Sequence, residues 1–273
     1  MNYVPLEFMD AVLSRLRDLR TTRGLRKELD VWKAAIDRQT STRQVVDVFF
    51  ACNSLSRNSL KCAFRISSYY YSFEEFKAMD KTGMQIQRII LQQDTINSLI
   101  TVSEIKREIL PLVNWAELQV ESYKMPDLME ALEEVEFSKI WSLYDRIKDK
   151  MTTEFMIKQL RRGLLKSCTA WPASSSAKLH FAIKEFLITQ PFQKVELPSF
   201  FVVDMELVGR LIHSPCDAQK HIYWENSMWE DLSLLRLFEP ALQTTYNSRN
   251  DVFNSVCSTF TLTFLDKICF YNR

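Results

Sequence analysis

Glycine is nearly absent, with four in 273 residues (Gly24, Gly83, Gly163, Gly209) and no two close together. Phosphate-cradling loops of the Walker or dinucleotide type need clustered glycines, so nucleotide binding by those routes is excluded. Histidine is scarcer still: His180, His213 and His221 have no partner at i+4 and no nearby Cys or Asp at metal-ligand spacing. No metal site or cofactor is expected. His213-Ser214-Pro215-Cys216-Asp217 gathers nucleophile, base and acid types in one string. Adjacency along the chain is not triad geometry, so the string reads as a turn and no catalytic residue is expected. The six cysteines (Cys52, Cys62, Cys168, Cys216, Cys257, Cys269) are scattered singly. That excludes a recognisable disulfide framework or four-ligand zinc site and suits reduced, buried thiols of cytosol or nucleus.

Charge of one sign is also missing, with 35 Lys and Arg against 34 Asp and Glu. The whole molecule has no electrostatic reason to seek nucleic acid or an anionic membrane. Only residues 1–43 lean basic, with nine Lys or Arg against six acids. Neither a basic n-region with an apolar core nor an apolar run of ~20 residues occurs; the nearest run, Val252 to Leu265, is short and rich in Ser, Thr and Asn. An intracellular chain without a membrane span is the expectation.

What is present is the balance of a folding globular protein, 47% apolar and 25% charged. Phe8, Met9, Val12, Leu13 and Leu16 fall at helical spacing behind Pro5, which suits a first helical turn. A second helix is expected over Leu25, Leu29, Trp32, Ala35 and Ile36, and a third from about Thr42 through Phe50. Beyond residue 83, β-prone strings alternate with helical ones. Strands are expected at Ile86–Leu91, Leu118–Ser122, Phe137–Tyr144, Phe192–Leu197, His221–Trp224 and Thr259–Phe264. Helices are expected near Thr95–Leu110, Pro126–Val135, Thr153–Leu165, Leu179–Ile188 and Val203–Leu211. The strand centres Ile89, Val120, Ile140, Val195, Tyr223 and Leu262 stand 31, 20, 55, 28 and 39 residues apart. The long step accommodates two units if a degenerate strand lies near Thr169–Trp171. One strand and one helix per 20–29 residues is the pattern of a leucine-rich-repeat horseshoe; an ordinary mixed-sheet α/β domain is the alternative.

Paired acids such as Glu74-Glu75 and Glu133-Glu134 read as solvated helix faces. Tyr69-Tyr70-Tyr71 with Phe73 and Phe76 has only Arg65 and Lys77 beside it, so core packing or a helix-capping aromatic cluster is favoured over a base-stacking platform. Core packing is likewise the reading for Tyr223, Trp224 and Trp229, with a surface anchor patch as the alternative.

The string Val4-Pro5-Leu6-Glu7-Phe8-Met9-Asp10-Ala11-Val12-Leu13-Ser14-Arg15-Leu16, followed by Asp18-Leu19, Leu25-Arg26 and Trp32-Lys33, resembles an F-box over about 40 residues. The whole chain is similar to the divergent nematode families of F-box-like proteins, and Ile183–Gln193 has the same flavour. The resemblance implies a helical F-box-like module (1–45), a helical linker (46–82) and an α/β leucine-rich-repeat-like partner-binding domain (83–273). It further implies a non-enzymatic substrate-recognition adaptor of an SCF-type, cullin-RING ubiquitin ligase. Pro5, Phe8, Val12, Leu13, Leu16 and Trp32 would meet the Skp-type adaptor protein, while the C-terminal region holds a protein substrate. An apolar helical stripe of this kind fits a partner's hydrophobic groove. The alternative is a non-enzymatic scaffold or ligand-binding repeat protein whose first helices cap the repeat. Residues that contact a substrate are not legible in one sequence.

Overall fold

The structure is a computed structural model that describes residues 5, 8–9, 12–13, 30–52, 60–92, 98–120, 125–141, 153–172, 176–198, 201, 204–212, 220–224, 242–249, 257–264 and 268–272. The architecture is mixed α/β. The chain divides into two compact units, Met1–Phe137 and Ser138–Arg273. The boundary expected at residue 82 falls inside the first unit.

In the first unit, helix α1 (Asp30–Thr42) runs into strand β1 (Gln44–Cys52). A third helix over Thr42–Phe50 was expected and is absent. The string Gln-Val-Val-Asp-Val-Phe-Phe-Ala-Cys is β-branched and aromatic, and its alternate side chains Val46, Val48 and Phe50 are fully buried, which suits a strand paired on both edges. Strands β2 (Leu60–Ile66) and β3 (Tyr69–Tyr71) follow, so residues 46–82 are not a helical linker. Helix α2 (Phe73–Ala78) is the only helix described there. Ser72 caps it: the Glu75 N–H donates to Ser72 Oγ, and the Ser72 N–H donates to Glu75 Oε2 at 2.7 Å.

Strand β4 (Met84–Gln92) and strand β5 (Ser98–Ile100) come next. Helix α3 (Val102–Glu104), capped by Thr101 and Glu104, continues as a π-helical turn through Ile109 and a 3-10 turn through Leu112. The helix expected from Thr95 therefore starts later, behind a short strand. Strand β6 (Val113–Val120) and helix α4 (Pro126–Leu132) complete the unit. β1 lies between β2, antiparallel, and β4, parallel, while β6 runs parallel on the far side of β4. Both β3 and β5 pair with the outer edge of β2.

One face of this sheet carries the larger core, and on the other Phe49, Ala51 and Ile90 form a second, smaller buried cluster. Register sets Val48 opposite Phe64 and Ile89, with Leu118 beyond Ile89; Phe50 sits opposite Cys62 and Leu91, with Val120 beyond. All of these side chains are buried. α2 closes the face, stacking Phe76 on Phe64 at 3.9 Å between ring centroids with Phe73 alongside at 6.3 Å. Gly83 is required where α1 meets β4. Its φ is +77°, and a Cβ there would stand 2.6 Å from the Thr42 carbonyl oxygen.

The second unit is built on parallel strands β7 (Phe137–Trp141), β8 (Ser167–Cys168), β9 (Lys194–Glu196) and β10 (Lys220–Trp224), each paired with the next. Helices α5 (Thr153–Arg162), α6 (Ala177–Thr189) and α7 (Met205–Ile212) occupy the three intervals. The equivalent residues Ile140, Cys168, Val195 and Ile222 stand 28, 27 and 27 apart, and all four are fully buried. β8 supplies the short strand that the 55-residue step called for, two residues earlier than expected. After β10 the pattern changes. β13 (Ile268–Asn272) pairs parallel to β10, then β12 (Cys257–Phe264) and β11 (Leu242–Arg249) add antiparallel. Among the described residues, no helix is long and apolar enough to cross a membrane.

Candidate docking site

The N-terminal helical stripe divides into two sides. Phe8 and Met9 N–H groups both donate to the Pro5 carbonyl, opening the helix at the proline. Met9 and Leu13 then point inward, where they form a small apolar cluster with Ala35 and Ile36 of α1, and Trp32 packs against it half-buried. Phe8 points outward with 57% of its surface exposed, Pro5 is exposed and Val12 is half-buried. The six expected contact residues are thus not equivalent. Leu13, at 0% exposure, has no surface to offer a partner, because helical spacing puts it on the same side as Met9, against α1. Leu16 lies outside the described residues, as does the string His213–Asp217.

Other aromatic expectations separate similarly. Phe73 and Phe76 are core, whereas Tyr69 and Tyr70, expected there with them, are 70% and 63% exposed. They stand on β3 at the sheet edge, where a pleated strand leaves a face uncovered. Tyr223 is half-buried on β10 with the Lys194 ammonium 4.8 Å from its ring centroid; of Trp224 only the backbone is described, and Trp229 lies outside.

The sheet face opposite the first unit's core carries a feature absent from the sequence reading. Register lines up Tyr70, Arg65, Asp47, Arg88 and Glu117 across β3, β2, β1, β4 and β6. Charges alternate along this row. Arg65 is hydrogen-bonded to Asp47; Arg88 stands 4.0 Å from Asp47 and 3.9 Å from Glu117. The Asp47 hydrogen bond raises the Arg65 pKa above its ordinary value, keeping the guanidinium charged. Arg65 also lies over the Phe49 ring at 5.3 Å, and Tyr70 packs on that ring at 5.6 Å.

In the second unit the residues flanking the buried column form two rows on the other face. Lys139, Ser167, Lys194 and His221 make one row, Trp141, Thr169, Glu196 and Tyr223 the other. All are half-buried. The Lys139 ammonium lies 4.6 Å from the Trp141 ring centroid, and the Trp171 indole N–H donates to the Glu196 carbonyl. Against Phe201 of this unit, His180 stacks at 4.5 Å; burial first, then Lys184, depresses its pKa.

Burial pushes the Cys62 thiol up to about 12, and Cys168 is raised further by the same cause. Among the described residues no group of three His, Cys, Asp or Glu side chains could hold a metal ion. No family model, curated protein or solved structure matches the chain.

Proposed function

We propose that the chain is a substrate-recognition adaptor of an SCF-type ubiquitin ligase, docking on a Skp-type adaptor through its N-terminal helix and α1. The observation that supports this reading is the division of the N-terminal stripe. Met9 and Leu13 hold the segment onto Ala35 and Ile36 of α1, while Phe8 and Pro5 stay outside. An exposed Phe on a helix held in place by buried Met9 and Leu13 is the arrangement a helix-in-groove anchor uses. On this reading the docking set is Pro5, Phe8 and Val12, with Leu13 as its internal support.

The second unit suits the partner-holding half. Parallel strands recurring at 28, 27 and 27 residues, with one helix in each interval, are the spacing of a leucine-rich-repeat-like array. Its outward rows of Lys139, Trp141, Lys194 and Tyr223 offer aromatic and cationic groups to a protein substrate. The test is co-purification with a Skp-type adaptor. Phe8→Ala should weaken the complex thirtyfold or more while leaving the fold intact; undiminished affinity in Phe8→Ala, or no complex with the unaltered chain at micromolar concentrations, overturns the proposal.

A further inference from the structure

The outer edge of the first unit's sheet is built from two short strands laid end to end. Along its outer side β2 pairs antiparallel with β3 at Phe64–Ile66 and with β5 at Leu60–Cys62, so β3 ends and β5 begins around the position opposite Ala63. Among the described residues no strand lies outside these two. We propose that this edge pairs antiparallel with the same edge of a second copy of the chain, about a two-fold axis at the position opposite Ala63. The proposal involves none of the N-terminal docking residues and does not depend on the adaptor reading.

Backbone direction is the first observation. The two-residue turn Ser67-Ser68 joins β2 to β3, with Ser67 at φ +57°, so Ile66 and Tyr69 form the hydrogen-bonded closing pair. Ladder bonds alternate along an antiparallel pair, which turns the N–H and C=O of Tyr69 and Tyr71 toward β2 and those of Tyr70 outward. The register of β2 is unbroken, and the same alternation carried from Arg65 back to Lys61 turns the N–H and C=O of Leu99 outward as well. Tyr70 and Leu99 therefore present open donors and acceptors to a further strand.

Register makes the edge complementary to itself. Tyr70 stands opposite Arg65 and Leu99 opposite Lys61, at equal distances on either side of Ala63. Rotation about that centre sets Tyr70 of each copy against Leu99 of the other, and the outward backbone groups of each meet those of its mate. Every contact is then made twice, as an isologous interface requires. Both side chains stand on the face away from the larger core, where Tyr70 is 63% and Leu99 65% exposed, and together they make an aromatic–aliphatic cross-strand pair. Tyr70 is already steadied by the Phe49 ring at 5.6 Å.

Charge favours the same occupant. Natural edges are guarded by charged side chains or proline, and Tyr69-Tyr70-Tyr71 and Ser98-Leu99-Ile100 carry neither. Arg65 and Lys61 sit one strand further in. In the pair, Arg65 of one copy and Lys61 of the other are three strand spacings apart, ~14 Å, beyond the screening length of ~8 Å at physiological salt. A net charge of +1 adds no general repulsion between copies. The edge is far shorter than the ~20–30 residues a side of a standard interface, so the dimer forms at micromolar rather than nanomolar concentration.

The experiment is sedimentation equilibrium of the full chain from low micromolar to submillimolar concentration under reducing conditions. A monomer–dimer equilibrium is expected. Leu99→Lys, the kind of residue that guards natural edges, should weaken it roughly tenfold or more. Leu99→Pro removes the outward N–H and leaves the ladder to β2 intact; with two backbone hydrogen bonds lost per dimer it should weaken association about thirtyfold. Circular dichroism checks that both variants fold. Register is read separately, by mixing Tyr70→Cys chains with Leu99→Cys chains and oxidising them. Opposed Cα atoms of a hydrogen-bonded pair stand ~5.5 Å apart, within disulfide reach, whereas positions 70 and 99 of one chain are ~14 Å apart, as are the two copies of position 70. Peptide mass spectrometry should find an intermolecular 70–99 disulfide in the mixture and no such bond from either variant alone. A chain that stays monomeric at submillimolar concentration overturns the proposal and leaves the edge to a foreign strand. A dimer unmoved by Leu99→Lys, or one without the 70–99 disulfide, is held elsewhere on the chain and overturns it too.

Discussion

Asp47 is the keystone of the charged row in the first unit, and removing its charge gives a measurable cost. Its side chain is 14% exposed, hydrogen-bonded to Arg65 and 4.0 Å from Arg88, whose side chains are 32% and 38% exposed. A fully buried pair broken on one side costs about 3–5 kcal/mol, and an exposed pair about 0.2–1 kcal/mol. Asp47 belongs near the first limit and its partners nearer the second, so Asp47→Asn should cost about 1–3 kcal/mol. With a urea slope of about 1–3 kcal/mol/M, that loss moves the midpoint by roughly 1 M. The chain has two units, so the readout should be local: hydrogen exchange of β1 and β4 amides across a urea series. In a double-mutant cycle with Arg65→Met, coupling of about 1 kcal/mol is expected. A loss below about 0.5 kcal/mol, with the two changes additive, would refute the idea that this row stabilises the sheet.

Leu13→Ala should cost about 2–3 kcal/mol, the low end for a buried Leu because its cluster is small, and the loss should appear as faster exchange in α1. Cys62 and Cys168 should resist a thiol-specific alkylating reagent in the native chain and react in urea, read by mass spectrometry. His180 has a depressed folded pKa, so the unfolded chain takes up its proton first. The stability it contributes is present above about pH 6.5 and declines as pH falls from there toward the lower folded value. Second-unit stability followed by circular dichroism over that window should show this decline, and His180→Gln should flatten it.

Among the second unit's parallel strands β9 was legible because the apolar string Phe192–Leu197 stands between two helical periodicities, those of α6 and α7. β1 was misread because Val45, Val46, Phe49 and Phe50 recur at one and four residues, a spacing that satisfies a helix as well as a two-sided strand. β11 and β13 escaped notice. β11, with Gln, Thr, Asn, Ser and Arg at most positions, has no apolar alternation to declare it. The turn before β3 has Ser67 at positive φ where a glycine would have announced a hairpin, so the exposed edge position of Tyr69 and Tyr70 was not visible and core packing or a helix-capping cluster was expected of them. The charged row had no local signature. Asp47 meets Arg65 and Arg88 only through the register of β1 with β2 and β4, which joins positions 18 and 41 residues apart. The apolar stripe near Pro5 was visible as spacing; its division into Phe8 outside and Leu13 inside depends on where α1 lies.

The docking claim is tested most directly by mixing the purified chain with a Skp-type adaptor and measuring binding by isothermal titration calorimetry, for the unaltered protein and for Phe8→Ala. The account predicts a complex for the first and, with an exposed aromatic anchor worth at least about 2 kcal/mol, an affinity lower by thirtyfold or more for the second at unchanged stability. Equal affinity for both proteins, or heat of binding from neither, would contradict it.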